Sequence, residues 1–180
     1  MTETKTKYFS HDFKLCTALA VACIIFMLSL GIYRGNNMPL SMANETAQDI
    51  QRLAQEATIS SIFFNNFVLC TLPVFIPGFG IVWELFVEYN TGLVFGLVAR
   101  AYNASASQLT IATLFSPVGI LEYSSYFLTL GESLTLCYYM TQKNGIALKD
   151  RIKKHSWKTL LLSAILLLIG AVVEYANLSA

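Results

Sequence analysis

Leu15–Tyr33 runs for 19 residues without a charged side chain, and it is one of several such stretches in the chain. About 20 predominantly apolar residues in a helix cross the hydrocarbon core of a bilayer. Lipid offers no partners to backbone N–H and C=O groups, so a segment of this kind must satisfy them internally, as a helix does. Charges cluster at the N-terminus, in Arg34–Glu56 and in Lys143–Lys158. Of the 180 residues only 13% are charged, against about a quarter in a soluble domain. The expected fold class is all-α: a polytopic membrane helical bundle forming one domain over residues 1–180.

The expected spans are about 15–33, 59–76, 81–100, 118–140 and 159–175. Lys5, Lys7 and Lys14 precede the first, but no small-x-small cleavage site follows it before Arg34, so it reads as an uncleaved span. An amphipathic helix is expected at about 41–57, with Ile50, Leu53, Ala54 and Ala57 on one face. That pattern suits the membrane surface or a bundle flank.

Ile59–Arg100 is too long for one span and is punctuated by PVFIPGFG. Pro77 and Gly78 break the helix there, and Pro73 is expected to kink the one before it. The result is a tight helical hairpin. Pro117 and Gly119 break the later stretch Gln108–Met140. A short segment, Leu109–Phe115, then enters the membrane or packs at its edge.

Five spans put the N-terminus, the Pro77 turn and Lys143–Lys158 on one side. That side holds nine of the lysines and arginines, and Arg34, Arg52 and Arg100 lie on the other. The positive-inside rule then places the N-terminus in the cytoplasm and the C-terminus outside. Sequons at Asn44 and Asn103, both possible glycosylation sites, and at Asn177 fall on the expected outer side. The basic run RIKKHSWK reads as a topology determinant that also attracts anionic headgroups. No nucleic-acid partner is expected.

Cys16, Cys23, Cys70 and Cys137 all lie in apolar segments, with no CxxC pair and no Cys/His cluster. Such cysteines behave as small apolar residues. HExxH, GxSxG and phosphate-binding loops are absent from the sequence. No catalytic, cofactor-binding or metal-binding residues are assigned, and the chain is not expected to be an enzyme.

The polar residues inside the apolar stretches carry the functional question. IFFNNFVL places Asn65 and Asn66 deep in the second span, and Asn90 lies in the third. Glu84 and Glu88 stand four residues apart, and Glu122, Glu132 and Glu174 follow. Polar groups in a bilayer turn inward to partners or water. Amides there join helices at about 1 kcal/mol each. The expected intramembrane network comprises Asn65, Asn66, Asn90, Glu88 and Glu122. One asparagine is expected to meet Asn90, and the other the segment Ser116–Glu122, whose proline leaves carbonyls unpaired. A competing reading makes the same residues an ion or proton path.

FFNNFVL, PGFG, EYNTGLVFG, SPVGILEYS and AVVEYANLS, in that order, resemble motifs of the stage II sporulation protein M family. The resemblance covers about Ile59–Ala180. The matching positions are Phe63, Asn65, Asn66, Gly78, Asn90, Gly92, Gly96, Pro117, Gly119, Glu122 and Glu174. Val118 stands where the family has a histidine, and Thr91 where glycine is usual. The resemblance implies a non-enzymatic membrane scaffold or accessory subunit. Its partners would be the lipid bilayer and other membrane subunits or further copies of itself. The alternative is a small ion- or proton-coupled transporter.

Overall fold

The computed structural model describes residues 10–143 and 145–179. Its helices are α1 (His11–Asn36), α2 (Leu40–Glu56), α3 (Ile59–Phe75), α4 (Pro77–Ala101), α5 (Ala106–Leu114), α6 (Pro117–Thr141), α7 (Gly145–Arg151) and α8 (Trp157–Leu178). A π-helical turn, Ile152–Ser156, joins α7 to α8. Among the described residues there is no strand.

Helix α1, helix α4 and the continuous stretch Gly145–Leu178 are each long and apolar enough to cross a membrane. Helices α2 and α3 meet that test only together, bent by 119° between them. The described residues therefore hold three candidate spans, or four with the bent pair, where the sequence reading expects five. The difference lies in α3 and α6. Helix α3 has 17 residues. Helix α6 has 25, but its buried surface carries Ser125, Thr129, Glu132, Ser133 and Thr135. That polar face turns toward protein, because α6 is the central helix and packs on α1, α3, α4 and α8. Ile24, Leu28, Cys70, Tyr126, Leu130 and Leu167 form the apolar part of this core.

The most extensive interface joins α1 to α4, and glycines on both helices make it. Gly31 and Gly35 of α1 lie on the backbone of Tyr89, Leu93 and Leu97. Gly92 and Gly96 of α4 lie on the backbone of Leu28, Ile32 and Asn36. The two helices run parallel, each presenting a G-x-x-x-G face to the other. A methyl group at any of the four positions would collide with main chain. Small residues at this spacing allow the close backbone approach that drives helix association in lipid.

The expected helix breaks are helix beginnings. Pro77 and Pro117 occupy the first turns of α4 and α6, where the missing N–H has no intrahelical partner to lose. Gly78 and Gly119 lie inside those helices, and Pro73 lies in the last turn of α3. Ser116 caps α6: its Oγ accepts from Gly119 N at 2.9 Å and donates to Thr113 O at 2.7 Å. The Thr113 carbonyl before Pro117 is thereby satisfied, contrary to the sequence expectation of unpaired carbonyls at this break. Helix α5 packs on α4 and α6.

Helix α2 packs on α4 through Ala43 and Ala47. Of the expected apolar face, Ile50 and Leu53 are 36% and 61% exposed and turn away from the bundle. The small alanines sit closer to α4 than those larger residues do.

Three contacts bring the start of α1, the α3–α4 turn and the α6–α8 connection to one end of the bundle. Tyr139 OH donates to Asp12 at 3.1 Å, Ser133 Oγ donates to Pro77 O at 2.9 Å, and Arg151 stacks on Phe13. The opposite end is tied by Arg100 to Asn36 O at 3.1 Å and by Gln51 to Tyr102 at 2.7 Å. Asn44, Asn103 and Asn177 are exposed. The first two flank this second end.

Candidate functional site

The two adjacent amides of α3 point in different directions, as residues about 100° apart on a helix must. Asn66 Nδ2 donates to Glu122 Oε1 of α6 at 2.5 Å. Asn65 is exposed, and its amide makes only a long 3.4 Å contact with Asn66 Oδ1. One turn further along, Cys70 Sγ and Ser125 Oγ lie 3.2 Å apart, a second polar link between the same two helices. Asn90 does not join this network as expected. Its Nδ2 donates to Phe86 O of its own helix at 2.6 Å, which satisfies the amide locally.

Glu122 is half-buried. It stands beside Gly170 of α8, where an added Cβ would lie 3.7 Å from its Cγ. On α4, Glu84 and Glu88 are each 1% exposed. The Oε2 atom of each is buried with no hydrogen-bond partner among the described residues. Glu88 stands one turn from Glu84 on α4 and within electrostatic reach of Glu122, and Glu122 stands beside Gly170, one turn before Glu174 on α8. Four carboxyls thus follow one another from the end of α8 into the middle of the bundle. Cys70, Tyr123 and Tyr126 close around them.

A second polar centre was not foreseen. Arg151 lies in the run read as a topology determinant that attracts anionic headgroups, yet it is 0% exposed. Its Nε donates to both oxygens of Glu132, at 2.9 and 3.1 Å, and its Nη2 donates to Oε2. Ser156 Oγ donates to Glu132 at 2.8 Å and Thr159 Oγ1 at 3.3 Å. The guanidinium carbon sits 4.4 Å from the centre of the Phe13 ring. The π-helical turn after Arg151 inserts an extra residue per turn, and it brings Arg151, Ser156 and Thr159 to one carboxylate. The signal available in the sequence was the polar stripe Ser125, Thr129, Glu132, Ser133 at helical spacing on α6. It marks a buried polar face, but it does not say that its counter-ion comes from the connecting loop.

The family model described as stage II sporulation protein M matches residues 15–176. The chain belongs to the stage II sporulation protein M family. No curated protein and no solved structure matches it. In this stage II sporulation protein M family chain, several motif positions quoted from the sequence make contacts between helices. Asn66 meets Glu122, Gly92 and Gly96 meet α1, and Phe63 packs on the core. Gly78 has nothing within 4 Å of where a Cβ would stand. Thr91, where the resemblance implies glycine, donates its hydroxyl to Val87 O at 3.1 Å. Val118, standing at the histidine position, is half-buried in the first turn of α6.

Proposed function

We propose that this membrane protein is a non-enzymatic scaffold or accessory subunit that holds other membrane proteins in a complex. The observation that supports it is the outward amide of Asn65. Its neighbour Asn66 is level with Gly170, well inside the apolar helix α8. Asn65 therefore sits at bilayer depth on a face shared with the exposed side chains of Phe64 and Val68. An amide offers two N–H donors and a carbonyl acceptor. Lipid answers none of them, whereas a partner helix carrying an amide or hydroxyl at the same depth answers several. The connections between the described helices are short, so recruitment through the bilayer fits the molecule better than chemistry in water. With the Lys-rich end in the cytoplasm, Asn44 of α2 and the Asn103 loop face outward.

Purification in gentle detergent followed by mass spectrometry tests the proposal. A stoichiometric membrane partner, lost in Asn65→Leu, is the expected result. A monomer alone from the wild type contradicts it.

A second reading, a small proton- or ion-coupled transporter, is favoured by the unpartnered oxygens of Glu84 and Glu88. Flux into proteoliposomes, abolished in Glu122→Gln, is its expected result. Flux no higher than in empty vesicles ends it.

A further inference from the structure

Glu84 and Glu88 are the most enclosed acids in the bundle that lack a counter-ion. Both are 1% exposed. No lysine or arginine among the described residues lies within salt-bridge distance of either. Each keeps one carboxyl oxygen buried and without a hydrogen bond. The contrast with Glu132 is direct, since that carboxylate receives a guanidinium and two hydroxyls. An ionised carboxylate left alone in a low-dielectric interior costs many kcal/mol, and the group takes up a proton or a cation instead. Residues four apart on a helix lie one above the other, so the two acids form a short vertical pair on α4.

The titratable groups within electrostatic reach of this pair come from two other helices, Cys70 of α3 and Glu122, Tyr123 and Tyr126 of α6, and Glu174 of α8 is within reach of Glu122. Against α4 on its far side, α1 contributes glycines and aliphatic side chains. No positive charge is among these groups. Among the described residues there is also no group of three His, Cys, Asp or Glu residues that could hold a metal ion. A proton neutralises either carboxylate without needing further ligands, which these surroundings do not supply. Burial falls from Glu84 and Glu88 to the half-buried Glu122 and Glu174, so the carboxyl series runs toward the end of the bundle that carries Asn103.

We propose that Glu84 and Glu88 form an intramembrane proton-binding site that exchanges with that end through Glu122 and Glu174. Each binding event forms one carboxyl O–H bond from a carboxylate and a solvent proton. The proposal deepens the transporter reading but does not require net flux. A site that loads and unloads from one side alone satisfies it.

Infrared spectroscopy of the purified protein in lipid nanodiscs tests it. The expected spectrum at neutral pH contains a carboxylic-acid carbonyl band that shifts in deuterium oxide. Glu84→Gln and Glu88→Gln should each remove part of that band, and Glu122→Gln should slow the deuterium shift severalfold. If either glutamine variant fails to fold, Glu88→Asp keeps the acid and should displace the band instead of removing it. Absence of the band in the wild type overturns the proposal. So does a band that none of these variants alters, or one that disappears when sodium or potassium is added. A proton site without flux in proteoliposomes would leave the proposal standing and end only the transporter reading.

Discussion

Arg151 forks onto Glu132 across 19 residues of sequence, and both side chains are completely buried. The pair fastens α7 and the start of α8 to the central helix α6. Removing one partner of a buried ion pair strands the other charge and costs about 3–5 kcal/mol. Arg151→Gln should therefore lower the melting temperature in detergent sharply. Arg151→Lys should recover only part of the loss, since an ammonium cannot reproduce the planar fork. The double replacement Glu132→Leu with Arg151→Met should recover most of it, because no charge is then left unpaired. Thermal melts of the four proteins check this. An Arg151→Gln protein as stable as wild type would remove the ion pair from the account.

The Asn66–Glu122 bond should be worth about 1 kcal/mol. Asn66→Leu should lower detergent stability, while Val68→Leu on the exposed side of α3 should not. Cys70 is unsuitable as a control, being 0% exposed and in contact with Ser125. Equal melting temperatures for Asn66→Leu and wild type would show that the bond holds nothing together.

The α1–α4 seam predicts opposite outcomes for chemically identical changes. Gly92→Ala and Gly31→Ala place a methyl against facing backbone, and overpacking of this kind costs about 1–3 kcal/mol. Gly78→Ala meets open space within its helix and should be neutral, or stabilising by up to about 1 kcal/mol. Equal effects at Gly92 and Gly78 would contradict the close approach.

Much of this architecture was legible in the sequence. Long uncharged stretches gave the helices to within a few residues, and IFFNNFVL with Glu122 pointed to the α3–α6 bond. What remained hidden depended on which faces meet. The G-x-x-x-G of α4 is visible at Gly92 and Gly96, but its partner at Gly31 and Gly35 carries weight only once α1 is known to lie beside it. Arg151 looked like any cytoplasmic basic residue, because charge patterning reports sidedness and not burial. Proline is ambiguous for a physical reason: the same residue that breaks a helix interior also starts one. Only the cap at Ser116 distinguishes the two at Pro117.

Orientation yields a further expectation. In intact cells, a membrane-impermeant thiol reagent should label cysteines introduced at Asn44 and Asn103 but not at Lys149. Labelling at Lys149 from outside would invert the topology.

The central claim is that Asn65 faces a protein partner within the bilayer while Asn66 holds the bundle together. A photo-crosslinking amino acid placed at Asn65 in native membranes addresses it most directly, with the same group at exposed Phe86 and Leu168 as controls. The account predicts a discrete protein adduct at position 65, and lipid adducts at the two controls. Lipid adducts alone at position 65 would contradict it.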